Sequence, residues 1–182
     1  MLESALPESA PEPPPALPLR GESIVAAIKA AGIDMVVALP DIVTCETVLW
    51  PIHRDGELEL VQVCKEDEGV SICAGLSYCE RRAVLLIQHT GFLDSINAIR
   101  AIAVEYQLPV VMIVGLQGLE PDRAPAQSGK LGVRIVEPIL KAMALDYTIL
   151  DHDGDAEAMS GIIDSAYAGS RPHVFLVPQS PS

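Results

Sequence analysis

Three short clusters of chemistry-bearing residues follow apolar runs in this sequence: Pro40-Asp41, Lys65-Glu66-Asp67-Glu68 and Gln88-His89-Thr90-Gly91. Carboxylates and imidazoles are the side chains that most often move protons in catalysis. Each cluster also has a plain structural reading. Glu66, Asp67 and Glu68 open a helical segment, where negative charge interacts favourably with the helix dipole. Asp41 either orients a substrate or partner or is a turn residue following proline. His89 is either a proton-transfer group or a hydrogen-bonded residue at a strand end. Spacing alone leaves these alternatives open.

The elements that would position these residues are legible from periodicity. Short runs rich in Val, Ile and Leu predict strands at Met35–Leu39, Glu59–Cys64, Ala83–Gln88, Pro109–Val114, Tyr147–Leu150 and His173–Val177. Helical spacing predicts helices at about Glu22–Ala31, Thr44–His53, Asp67–Glu80, Leu93–Glu105, Ile135–Ala144 and Asp155–Ala168. Gln117–Gly132 has no periodicity and reads as a long loop. The alternation of strands and helices predicts an α/β fold, a doubly wound parallel sheet flanked by helices. In such sheets ligands bind beyond the carboxyl ends of the strands, where all three clusters fall.

Composition narrows the function classes. The core must be built mainly from Ala, Val, Ile and Leu, because the chain has one Trp, four Tyr and two Phe among 49% hydrophobic residues. A formal charge of −13 with no basic cluster excludes nucleic acid as an expected partner. Apolar runs such as Ala83–Ile87 fall far short of the roughly 20 residues that span a bilayer, so no membrane association is expected. No basic-then-apolar leader is read at the N-terminus, which makes the cytoplasm the expected compartment and keeps the four cysteines reduced. Their spacing has neither a C-x-x-C nor a zinc pattern, so they are expected to be small buried apolar residues and no metal ligand is assigned. Residues 1–20, with six prolines before residue 19, read as a disordered tail, leaving one domain over residues 21–182.

The segment Lys65-Glu66-Asp67-Glu68-Gly69-Val70-Ser71-Ile72-Cys73-Ala74-Gly75 resembles the pyrimidine-binding domain of thiamine diphosphate (ThDP) enzymes, in which a Glu precedes the Gly of an Ala-rich helix by nine positions. Two further segments are similar to the branch that contains sulfopyruvate and phosphonopyruvate decarboxylases. Ala38-Leu39-Pro40-Asp41 resembles its Val-Pro-Asp-Ser turn, and Gln88-His89-Thr90-Gly91-Phe92-Leu93-Asp94-Ser95-Ile96-Asn97 resembles its Gln-Asn-Ser-Gly-Leu-Gly-Asn-x-x-Asn segment.

The resemblance implies that Glu66 is the catalytic carboxylate, hydrogen-bonded to N1′ of the cofactor's aminopyrimidine, and that Gln88, Thr90 and Gly91 join it in binding the cofactor. It implies decarboxylation of a small acidic 2-keto acid, with the thiazolium ring as electron sink and with Asp41 and His89 as candidate substrate contacts. The chain has no Gly-Asp-Gly motif for the diphosphate and Mg²⁺; Gly154-Asp155-Ala156 lacks the second Gly. An alpha-type subunit is therefore implied, with a beta-type partner supplying the diphosphate and Mg²⁺ half of the site.

Several positions depart from the pattern. Leu93 and Asp94 replace a Gly and an Asn, His89 replaces an Asn, and Ser128 stands where a loop segment resembling Gln127–Gly132 would carry His. These departures motivate a second reading, a noncatalytic ThDP-fold binding or regulatory subunit. A third, an unrelated flavodoxin-like binding domain, lacks a Gly-rich phosphate loop after the first strand.

Overall fold

Apolar runs buried on both faces supply the middle of the sheet. In a computed structural model, which describes residues 17–182, β1 (Met35–Ala38), β3 (Ala83–Gln88), β4 (Val111–Gly115) and β6 (His173–Val177) are interior strands. The shorter and more exposed β2 (Glu59–Gln62) and β5 (Asp146–Ile149) form the edges. The order is β2-β1-β3-β4-β6-β5 and every pair is parallel, so the doubly wound parallel sheet expected from the alternation of elements is the one observed.

Successive strand residues point to opposite layers. Val36, Ala38, Val84, Leu86, Ile113 and Phe175 face α1 (Gly21–Ala30), α2 (Trp50–Asp55) with the π-helical turn Cys45–Leu49 before it, and α8 (Asp153–Ala168). Val37, Leu85, Ile87, Met112, Val114 and Leu176 face the other layer. That layer holds α3 (Glu66–Tyr78), α4 (His89–Asp94), α5 (Ile96–Ala98) continuing as the π-helical turn Ile99–Val104, α6 (Leu131–Arg134) and α7 (Val136–Ala142). Among the described residues no helix is long and apolar enough to cross a membrane.

The structure departs from the sequence expectations at four places. The helix expected from Leu93 begins at His89, breaks at Ser95 and widens after Ala98. The expected loop Gln117–Gly132 contains the 3₁₀ turn Pro125–Gln127 and gives its last two residues to α6. Of the four cysteines only Cys73 is buried; Cys64 and Cys79 are exposed and Cys45 is half-buried, because the first two lie at the ends of elements rather than on core-facing positions.

The expected tail also ends earlier than residue 20. Leu19 is buried, Pro18 bridges to His152, and the Arg20 guanidinium meets the Asp153 carboxylate at 2.6 Å. The remainder of that predicted tail, residues 1–16, lies outside the described residues.

Candidate active site

The winding of the sheet reverses between β1 and β3, the position at which parallel sheets bind ligands beyond their carboxyl ends. Asp41 follows β1, Glu66 opens the helix after β2, and His89 follows β3 directly.

The acidic cluster at the start of α3 divides into three different environments. Glu68 Oε2 accepts hydrogen bonds from the backbone N–H groups of Cys64 and Lys65 at 3.1 and 3.3 Å, which caps donors that the first helical turn leaves open. Asp67 lies 3.4 Å from Lys65 Nζ, and the same ammonium reaches Asp94 at 3.0 Å. Among the described residues, Glu66 alone of the three acids has no hydrogen-bond or ion-pair partner. Its half-buried side chain lies against the α-carbon of Gly91, where any Cβ would collide with Glu66 Cγ, Cδ and Oε1.

The structure thus brings Glu66 and Gly91 into contact from separate elements, α3 and α4. Gln88 and Thr90 flank His89 and bond to one another, the amide Nε2 donating to the Thr90 hydroxyl at 2.8 Å. Asp94, the acid that departs from the family pattern, is held by Lys65 at an exposed position, so its charge is directed to α3's cap and not at Glu66. Leu93 packs against the core layer under α4.

His89 is only 5% exposed, and its Nδ1 is buried without a hydrogen-bond partner among the described residues. Burial pushes its imidazole below the ordinary value of 6.5, opposed by the nearby Gly115 backbone and by the charge of Asp41. On its other edge, a Cβ on Gly132 would stand 3.2 Å from His89 Nε2.

Asp41 is buried, and its carboxylate is engaged by its own turn. Oδ1 accepts from the Val43 N–H at 3.2 Å, and Oδ2 accepts from the Thr44 N–H at 3.2 Å and the Thr44 hydroxyl at 3.0 Å. Burial pushes this carboxyl up, against the pull of those hydrogen bonds. The geometry is that of the turn-forming alternative, with the side chain withdrawn from solvent.

In the loop before α6, Ser128 is buried and donates its hydroxyl to Glu120 Oε2 at 2.8 Å, while the Gly129 N–H binds Oε1 at 3.1 Å. These contacts, led by the Ser128 hydroxyl, hold the Glu120 carboxyl below its ordinary value. Ser128 therefore organises the loop. Lys130, next to it, is exposed.

No protein-family model matches the chain. Over 158 residues, 86% of its length, it is 30% identical to the sulfopyruvate decarboxylase of Methanosarcina acetivorans, of which it covers 39%. It is 33% identical over 106 residues to the sulfopyruvate decarboxylase subunit alpha of Methanothermobacter thermautotrophicus, covering 58% of this chain and 64% of that one. The chain thus spans less than two thirds of the length of these relatives. Its fold matches a solved 2-oxoglutarate:ferredoxin oxidoreductase from Magnetococcus marinus with a TM-score of 0.63, at 14% identity, over 90% of this chain and 30% of that one. In sequence the chain is similar to sulfopyruvate decarboxylases, and its fold is that of one domain of the oxidoreductase.

Two further glycines bear on the site: Gly115, to which the sequence pattern assigns no role, and Gly132, the last residue of the loop segment Gln127–Gly132. A Cβ on Gly115 would collide with Asp41 Oδ2 and stand 2.8 Å from Val43 Cβ. A glycine closing the apolar run Val111–Val114 was the available signal, since glycine at a strand end marks close approach of another group. The resemblance of Gln127–Gly132 to a loop segment marked Gly132, but not its approach to His89, which is distant in sequence.

Proposed function

We propose that this chain is the alpha-type subunit of a ThDP-dependent 2-keto acid decarboxylase, acting on sulfopyruvate or a related small acidic 2-keto acid. Its likeness to sulfopyruvate decarboxylase alpha subunits supports the reaction class. The observation that carries the site assignment is the bare Glu66 carboxylate against Gly91, with no protein partner among the described residues. A carboxylate left free at the switch point fits a ligand that presents a basic ring nitrogen, and the missing side chain at position 91 makes room for that carboxylate.

When bound, ThDP supplies the electron sink for loss of CO₂. Glu66 holds a proton between its carboxylate and N1′ of the aminopyrimidine and so orients that ring. Gln88 and Thr90, fixed by their mutual hydrogen bond, present amide and hydroxyl groups on the first turn of α4 beside it. His89, in its neutral form, donates a hydrogen bond to an oxygen of the keto acid. Mg²⁺ and the diphosphate would be held by a beta-type partner subunit, a reading supported by the alpha-subunit names of the similar proteins.

Glu66→Gln keeps the side chain's size and removes its charge. In the complex reconstituted with the beta-type chain, turnover is expected to fall by at least about 100-fold, the usual scale of a positioned proton-transfer group, while the complex still elutes as one species. Undiminished turnover removes Glu66 from the reaction.

A further inference from the structure

Asp41 and His89 come from different strands but meet on the same short piece of backbone. Gly115 ends β4 in register with Gln88, so His89 is the next residue along β3's path. The Gly115 backbone therefore lies beside His89, and its influence favours the protonated ring. From the other direction, the Asp41 carboxylate occupies the space that a Gly115 side chain would need. To reach that point from the end of β1, Asp41 crosses the carboxyl end of β3, which lies between β1 and β4 in the sheet.

The two side chains share a further property: both are almost fully buried, at 1% and 5% exposure. Asp41 uses three hydrogen bonds to hold its own turn, whereas Nδ1 of His89 has none among the described residues. A buried polar atom without a partner is costly, so the ring's orientation must be fixed by its surroundings. The other groups around it are few. Glu66 on α3 lies against Gly91, two residues beyond His89; on α6, Gly132 faces the ring, flanked by exposed Lys130 and by Arg134, whose guanidinium donates to the Ser128 carbonyl at 2.7 Å. At the end of β4, Gly115 presents only backbone. Asp41 is therefore the buried charge on this imidazole.

We infer that Asp41 is a positioning residue for His89, its carboxylate holding the ring through charge and through the Gly115 backbone so that the Nε2 edge stays directed toward Gly132. This rests on His89 facing the substrate in the proposed decarboxylation. Asp41 itself touches no substrate. In this arrangement glycine at 115 is a requirement of the pair, and any side chain at 132 would crowd the Nε2 edge of the imidazole.

Coupling of this kind is reciprocal: whatever Asp41 does to the protonation of His89, His89 does to Asp41. The test is a heteronuclear NMR titration of the isotope-labelled full chain, following the His89 imidazole and the Asp41 carboxyl carbon. Asp41→Asn is expected to lower the midpoint of His89 by about one pH unit, the scale of an opposite charge nearby. His89→Gln is expected to raise the midpoint of Asp41 by a similar amount. Should Asp41→Asn fail to fold, His89→Gln still decides. An Asp41 titration that coincides in His89→Gln and in the parent chain overturns the assignment and leaves Asp41 as a turn-forming residue alone. The readout needs neither cofactor nor partner. Loss of ThDP binding in calorimetry of the reconstituted complex would instead strike the proposed function and leave this coupling intact.

Discussion

Alanine at position 91 would gain about 1 kcal/mol of helix propensity over glycine, and Gly91 does not need a positive φ. Its methyl group, however, would enter the space held by Glu66 Cγ, Cδ and Oε1. Those atoms belong to a flexible side chain, so the collision is relieved by swinging the carboxylate away and not by moving backbone. Stability and site geometry therefore separate. Gly91→Ala is expected to leave the thermal midpoint unchanged or slightly raised, while ThDP affinity of the reconstituted complex falls by about tenfold or more, a loss near 1.4 kcal/mol. Calorimetric titration with ThDP beside a melting curve checks both; unaltered affinity would mean that the position of Glu66 against Gly91 has no bearing on the cofactor.

At the level of elements, the start of α3 shows how much can be read from residue types. Three consecutive acids at a helix start read as one cluster serving the dipole. In three dimensions they are not equivalent: Glu68 caps backbone N–H groups, Asp67 pairs with Lys65, and Glu66 turns to α4. Removing a cap of this type costs about 1 kcal/mol. Glu68→Ala is thus expected to lower the unfolding free energy by that amount in urea titration, with Glu68→Gln intermediate; equal stability in all three chains would show that the cap contributes nothing. The strands were legible because burial on both faces leaves long apolar runs, and β3 and β6 match their predicted limits. The start of α4 was not. Its N-cap is Gln88, which supplies no side-chain cap, and Gly91 in the first turn carries the signature of a loop. The contact of Glu66 with Gly91 was equally hidden, since it depends on how α3 and α4 pack, and neither segment alone records that.

For the molecule as a whole, two histidines on opposite sides of β4, His89 buried and His173 half-buried, set a pH dependence of folding. His89 lies beyond β3, and His173 opens β6 with its Nε2 3.0 Å from the Thr148 hydroxyl. Burial pushes both imidazoles below 6.5, opposed at His173 by Asp146 and at His89 by the Gly115 backbone and Asp41. A lowered pKa in the folded state means that the unfolded chain takes up protons first as pH falls. Stability is then fully present above about pH 6.5, the unfolded value, and is lost as pH drops toward each folded value, with a slope of at most about 1.4 kcal/mol per pH unit for each histidine. Below the folded values both states are protonated and the slope vanishes. Asp41 acts in the opposite sense, since its raised carboxyl favours the folded state as pH falls, and the lowered carboxyls of Glu120 and Asp153 add their own losses in acid. These groups remain in a chain carrying His89→Gln and His173→Gln, so the difference between the two chains isolates the imidazoles, apart from the reciprocal effects of Asp41 on His89 and of Asp146 on His173. Unfolding free energies measured by urea titration between pH 7.5 and pH 5 are expected to decline in the parent chain and to decline less in the double variant. Parallel curves over that range would show that neither histidine is held neutral by the fold, and would remove the buried neutral imidazole from the site at the carboxyl end of β3.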